Sequence, residues 1–364
     1  MMKILIPIFG FAASGGGRVL SELANQWISS GHQVTFICFA DSVNPYFPTN
    51  ANIIWINYKE IQMDSNNLYH KYYPLRYFFI RNSLKRAIDK YGNDFDIVLA
   101  THSFTARPVY LSSIKAKKFY YIQAHETEYY SVGGIKHVFY KIAAKASYGY
   151  NLLRIVNSEL YLNYKEIKAS MFVYPGIDLK KYYPKKTTVY QNKKKLIIGC
   201  IGRIEKIKGT QLVLDAFNIL KKQNVNIELH IAFGNKEYAN IEGIKIITPK
   251  SDDELADFYR SVDVIVAPMT VQLGAIHYPV LEAFACGTSV ITTGYSKADE
   301  INSYIVKIND VNSIVESINM IMKDPETAQK KAELAKEVLS DFAWDVVSNK
   351  MLNYFKIASN NDLS

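Results

Sequence analysis

Short apolar runs alternate with amphipathic stretches along this chain, and the alternation starts afresh halfway. In the first half, apolar runs at residues 3–8, 34–39, 53–56, 97–100, 119–122 and 154–156 read as strands. Between them, residues 18–28, 75–91 and 135–150 repeat apolar side chains at the helical period. The second half repeats the scheme, with strands at 196–201, 228–232, 245–247, 264–267 and 289–292 and helices at 210–222, 252–261, 280–285 and 311–322. Strands that alternate with helices of this length need crossover connections, so they build parallel sheets covered on both faces. The expected fold is α/β, with two doubly wound, Rossmann-like domains facing a cleft. Their boundary is the polar stretch 182–195, which has Pro184, a lysine cluster and no apolar period. The domains expected are 1–184 and 185–345, with a C-terminal helix, 346–364, packing back towards the first. Ligands of such sheets sit beyond the carboxyl ends of the strands.

Composition narrows the classes. Of 364 residues, 49% are hydrophobic and 21% charged, which is globular and excludes disorder. No apolar run approaches the roughly 18 residues of a membrane span. Cys38, Cys200 and Cys286 are scattered through apolar runs, so they form neither a disulfide framework nor a metal cluster, and a reducing, cytoplasmic setting is expected. Residues 1–13 resemble a short leader, but the glycine turn and helical period that follow read as strand, turn, helix. The net charge of +9 lies wholly in the first 184 residues, where 21 Lys and Arg face 12 Asp and Glu; the remainder has 22 of each. Such a basic half attracts phosphates or an anionic lipid surface.

Three constellations carry chemistry. Ser14-Gly15-Gly16-Gly17-Arg18 closes the first strand and opens the first helix, whose N-terminal amides suit an anion. It is not the G-x-G-x-x-G fingerprint, although Asp41 past the second strand leaves a nicotinamide oxidoreductase as one alternative. Gly202-Arg203-Ile204-Glu205-Lys206-Ile207-Lys208-Gly209 sets a guanidinium and an ammonium five residues apart between a strand and a helix, a pairing suited to a diphosphate. Glu282 is expected in the first turn of the apolar helix after Pro279, where burial requires hydrogen-bond donors such as a ribose diol. Beyond these, His125 follows a buried strand and is expected to meet a sugar, His102 holds a similar position, and His32 reads as a turn residue. Asp94-Phe95-Asp96 precedes its strand and reads as a solvated strand start rather than a metal site. Residues 71–91 carry six cations against Asp89 beside a stripe of Tyr77, Ile80, Leu84 and Ile88, which suits a helix lying on anionic lipid.

These motifs occur in the order found in retaining glycosyltransferases of family four, with the GT-B fold, and the chain resembles that family over nearly its whole length. The resemblance rests on GGGRVLSELANQWISSGHQVTFI, VYPGIDLKKYYP, GRIEKIKG, PVLEAFACGTSVI and FAWDVVSNKMLNYF. It implies that Arg203 and Lys208 grip a donor diphosphate and that Glu282 holds the ribose. Gly16, Gly17, Gly202, Ile276, His277 and Tyr278 would line the donor; Gly15, Arg18, His125 and Glu126 would meet the acceptor or the transferred sugar. The family's usual glutamate eight positions before Glu282 is Gly274 here. Gln123-Ala124-His125-Glu126, followed by Tyr129 and Tyr130, is similar to a segment of bacterial rhamnosyltransferases. The implied activity is transfer of a sugar from a dTDP-, UDP- or GDP-sugar to a glycan or lipid-linked acceptor, with retention, without metal or other cofactor. The expected partners include inner-leaflet anionic lipid and no nucleic acid. A non-catalytic binding subunit is the other alternative, suggested by Gly274.

Overall fold

The computed structural model describes residues 1–12, 14–66, 76–130, 135–184, 195–271 and 276–360, apart from the side chains of Phe79 and Tyr129. Gly274, residues 71–75 and most of the polar stretch 182–195 therefore lie outside the described residues. The chain divides into two compact units, Met1–Gly176 with Trp344–Ser364, and Ile177–Ala343. The change of unit falls eight residues before the expected 184/185. The reason is local: Tyr182 packs on Tyr259, and Arg260 donates to the carbonyls of Lys181 and Tyr183.

The first unit runs β1 (Lys3–Pro7), α1 (Gly15–Ser29), β2 (Gln33–Phe39), β3 (Asn52–Ile56), β4 (Gln62–Met63), α2 (Arg76–Tyr91), β5 (Ile97–Ala100), α3 (Ser103–Leu111), β6 (Lys117–Ile122), α4 (Glu126–Tyr129), α5 (Ile135–Ser147), β7 (Leu153–Val156) and β8 (Met171–Phe172). Among the described residues these strands form one sheet in the order β4-β3-β2-β1-β5-β6-β7-β8. All pairs are parallel except β3–β4. Strand β1 is central and β5 is buried throughout, which is why both read as continuous aliphatic runs rather than alternating ones. Register sets Leu5 beside Thr35 on one side and Val98 on the other, so β1, β2 and β5 end together.

Helix α1 starts where Ser14 accepts a hydrogen bond from the Gly17 amide at 3.2 Å. A Cβ on Gly17 would lie 2.5 Å from the Ala12 carbonyl, so only glycine lets the chain turn this closely from strand to helix. The stripe of α2 faces inward: Ile80, Leu84 and Ile88 are buried, at about 1.5–3 kcal/mol each. Of its cations, Arg76, Lys85 and Arg86 are engaged by Asp41, Asp89 and Glu60. The expectation that this helix lies on lipid is corrected, because the apolar face is part of the core.

The second unit runs β9 (Leu196–Ile201), α6 (Thr210–Lys222), β10 (Ile227–Ala232), β11 (Ile244–Ile247), α7 (Asp252–Ser261), β12 (Val264–Ala267), α8 (Tyr278–Cys286), β13 (Ser289–Thr292), β14 (Tyr304–Ile305), α9 (Val311–Lys323) and α10 (Pro325–Leu334). Its described strands form a parallel sheet, β11-β10-β9-β12-β13-β14. Phe217, Leu229, Val264 and Ile318 are among the core residues between this sheet and α6 and α9. Helix α11 (Trp344–Asn360) belongs to the first unit, where Phe355 meets Phe119 at 4.6 Å between ring centroids and Trp27 at 5.7 Å. The Trp27 indole donates to the Ser348 carbonyl at 3.3 Å. Among the described residues no helix is long and apolar enough to cross a membrane.

Candidate active site

In the first unit, a cavity of about 620 Å³ opens beyond the carboxyl ends of β1, β2, β5 and β6. Its wall includes Gly16 and Gly17 at the start of α1, the aromatic rings of Phe9, Phe11 and Tyr77, and the polar groups of His102 and Gln123. A Cβ on Gly16 would meet the Gln123 carboxamide oxygen at 3.2 Å. Asp41 and Arg76 also border the cavity, and they are bonded to each other. The Tyr58 hydroxyl donates to the same Asp41 oxygen at 2.5 Å. That engagement of one Asp41 oxygen by the chain's own groups speaks against the ribose-holding role on which the oxidoreductase alternative rested. Gly15 is exposed at the tip of the turn, and the Arg18 guanidinium lies over the Phe47 ring at 5.0 Å.

The two histidines part company. His102 precedes α3 and accepts from the Phe104 amide through Nδ1 at 3.1 Å. An accepting Nδ1 puts the proton on Nε2, which lies 3.4 Å from the Glu126 carboxylate. His125 is buried and is absent from the cavity wall. Its nitrogens meet Glu128 at 3.1 Å, Glu166 at 3.3 Å and Thr127 at 2.8 Å, with its ring set among Tyr148, Tyr161 and Tyr164. Glu126 accepts from the Ser103 amide at 2.8 Å and from the Ser103 hydroxyl, so it serves the start of α3. Asp96 accepts from the Lys3 amide at 2.7 Å at the opposite, N-terminal end of the strands. Among the described residues no group of three or more His, Cys, Asp or Glu is placed to hold a metal.

In the second unit the Gly202–Gly209 segment follows β9. A Cβ on Gly202 would fall 2.5 Å from the Gly234 Cα, so two loops cross where neither has a side chain. The Thr210 hydroxyl closes the turn, accepting from the Arg203 amide at 3.0 Å and donating to its carbonyl at 3.2 Å. Lys208 ends a short 3₁₀ turn that the Thr270 amide pins through the Ile207 carbonyl at 3.1 Å. Gly209 then takes a left-handed conformation, φ +70°, before α6. Arg203 is half exposed and lies 3.2 Å from Glu205, while Lys208 has no ion-pair partner among the described residues.

Burial first, and then the Arg203 charge, hold Lys208 below the ordinary lysine value. The same two cations reach His277, where burial and then Lys208 and Arg203 push the imidazole well below its ordinary value. Its ring lies 4.8 Å from Tyr295, and its buried Nδ1 has no hydrogen-bond partner. Sequence spacing had no means of joining His277 to cations some 70 positions upstream. What emerges is two positive charges acting on one imidazole, with Glu205, 3.2 Å from Arg203, as a partly compensating carboxylate. His277 immediately precedes α8, without a side-chain capping bond, and the helix begins at Tyr278 with Pro279 in its first turn. Glu282 is therefore the fifth residue of α8 rather than the third, in its second turn and beyond the reach of the helix terminus. It is buried, and the Tyr259 hydroxyl donates to it at 2.7 Å. Ile276 and Tyr278 flank His277 and are half-buried.

Two family models match the chain. Residues 13–162 match the one described as Glycosyltransferase Family 4, and residues 195–324 the one described as Glycosyl transferases group 1. The chain is similar to a D-inositol 3-phosphate glycosyltransferase of Paenarthrobacter aurescens, 27% identical over 199 residues, covering 47% of each chain. It spans about half the length of that curated relative. Among solved structures it resembles a sucrose-phosphate synthase from Thermosynechococcus elongatus, with TM-score 0.79 and 16% identity over 98% of this chain and 99% of that one. It also resembles Anabaena HepE in complex with UDP and glucose, with TM-score 0.74 and 13% identity over 98% and 100% of the two chains. At such identities the likeness shows the fold, the two-domain α/β architecture of GT-B proteins.

Proposed function

We propose that this chain, of the glycosyltransferase group 1 and family 4 type, transfers a sugar from a nucleotide diphosphate donor to a glycan or lipid-linked acceptor with retention of configuration. The observation that carries the reading is the pinned turn between β9 and α6 that holds Arg203 and Lys208, with the charges of both acting on His277. The penalty that burial and the Arg203 charge place on the Lys208 ammonium is relieved by a bound anion, and a diphosphate spans both cations. The charge on the departing diphosphate grows as the glycosidic bond breaks, so preorganised cations at that point lower the barrier. Lys208 supplies a point charge held by the pinned 3₁₀ turn, and Arg203 supplies a mobile fork. Neutral His277 donates a hydrogen bond to a phosphate or sugar oxygen, beside Ile276 and Tyr278. Glu282, oriented by Tyr259, accepts from the ribose hydroxyls.

In the first unit, the acceptor occupies the cavity beside Gly16 and Gly17, where Phe9 and Tyr77 offer faces for a sugar ring and His102 and Gln123 offer polar contacts. This assignment favours His102 over His125 as the histidine that meets substrate. The donor base is one of uracil, guanine or thymine, and HepE, with its bound UDP, makes uracil the first to try. Diphosphate stabilisation by side chains leaves no step that requires a metal.

The test is incubation of the purified protein with UDP-, GDP- and dTDP-sugars, following release of nucleoside diphosphate and the anomeric configuration of the product. Release from one donor series, undiminished by a chelator, is the expected result. Binding of a nucleotide without turnover of any donor sugar would favour the non-catalytic reading instead, and loss of activity with chelator, restored by a divalent cation, would overturn the metal-free step.

A further inference from the structure

Helix α5 is turned inside out. Ile135, Val138, Phe139 and Ile142 recur at the helical period within an arc of about 100°, yet they are 79%, 55%, 47% and 61% exposed. The face turned to the protein carries the small residues Ala144 and Ser147. An apolar stripe pointing to solvent is unlike that of α2, whose stripe is buried, and contiguous exposed apolar residues mark interaction surfaces. Lys136 borders the stripe on one side, and Lys141 and Lys145 on the other.

A groove of about 200 Å³ runs along the same stripe, with Phe139 and Ile142 on one wall and Arg81 and Arg107 on the other. The two guanidiniums are neighbours: burial, then the Arg107 charge, lower the Arg81 value. The Arg81 Nε is buried without a hydrogen-bond partner, and among the described residues no carboxylate pairs with either arginine. Arg107 reaches only the Asn82 carboxamide, at 3.3 Å. Apolar side chains ringed by unpaired cations complement a surface whose interior is hydrocarbon and whose rim is anionic phosphate.

We propose that the α5 face docks on an anionic phospholipid bilayer, with Ile135, Val138, Phe139 and Ile142 entering the acyl boundary and the Arg81–Arg107 groove receiving a lipid phosphate. Buried apolar area and basic charge then act together, as in interfacial helices. The inference stands apart from the sugar-transfer reading, since it uses none of the residues assigned to donor or acceptor. It also moves the lipid-facing role expected of residues 71–91 to a different helix.

The test is co-sedimentation of the full chain with phosphatidylcholine vesicles with and without phosphatidylglycerol. Binding is expected only with phosphatidylglycerol, and to weaken as salt rises. The double variant V138E/I142E, at exposed positions that should leave thermal unfolding unchanged, should lose about ten-fold or more in affinity. The double variant R81A/R107A should lose about five-fold per cation removed. Met320→Glu, on exposed α9, should bind as the parent does. Absence of vesicle binding, equal binding by V138E/I142E, or equal loss in the Met320 variant would overturn the proposal. So would a lipid-free dimer that V138E/I142E converts to monomer, since that would give the face to a second copy.

Discussion

Lys208 is a cation held under two adverse conditions, burial and the neighbouring Arg203 charge. Each is relieved by a bound diphosphate, so its removal should be felt in the reaction more than in the fold. Lys208→Ala and Arg203→Ala are each expected to lower kcat/KM for the donor by about 10²–10³, the effect of one preorganised charge contact; steady-state kinetics on the released diphosphate would show it. His277 gives a pH signature. A histidine whose folded pKa lies below its ordinary value of about 6.5 binds fewer protons folded than unfolded. Stability is then present above about 6.5 and falls as pH drops below it. His277→Asn should flatten part of that fall in thermal unfolding between about pH 7 and 5, the rest belonging to His230 and His32, which burial also lowers. At this scale much was legible: the glycines beside Arg203 and Lys208 mark the turn without any structure. His277 was legible as a donor-lining residue close to Gly274, but not as a partner of Arg203 and Lys208, because those charges come from another loop. His102 and His125 both follow strands, and only the hydrogen bonds that each one makes separate them.

Helices and loops answer to closer steric rules. Gly202 crosses Gly234 with no space for a methyl group, so Gly202→Ala forces backbone apart and should destabilise by about 1–3 kcal/mol, measured by denaturant midpoint. Phe355 closes the first unit from the far end of the chain, and Phe355→Ala should cost about 3–5 kcal/mol by the same measurement. Strands of four residues or more are legible from aliphatic runs, and the expected ends fall within about two residues of those observed. The two-residue strands β4, β8 and β14 are too short to carry a period. Helix α3 is obscured by Pro108 in its interior, although His102 and Thr105 form its capping box. Periodicity identified the stripes of α2 and α5 but not which one faces the core: a pattern gives the face, and tertiary packing gives its direction.

For the molecule as a whole, the two-domain α/β architecture of GT-B proteins was legible because the alternation of strand and helix occurs twice, and the excess positive charge of the first 184 residues accords with a basic docking face. A ligand that binds only the folded chain stabilises it by about 2.7 kcal/mol at a hundred times its Kd. A nucleoside diphosphate should therefore raise Tm, and the Lys208→Ala chain should need more ligand for the same rise. The most direct measurement is a calorimetric titration of the parent and Lys208→Ala proteins with UDP, GDP and dTDP, each paired with its monophosphate. One diphosphate should bind the parent more tightly than its monophosphate, and Lys208→Ala should lose about ten-fold or more of that affinity while the monophosphate changes less. Equal affinity of both proteins for the diphosphate, or no nucleotide bound by the parent at all, would contradict the assignment of Arg203, Lys208 and His277 to a diphosphate.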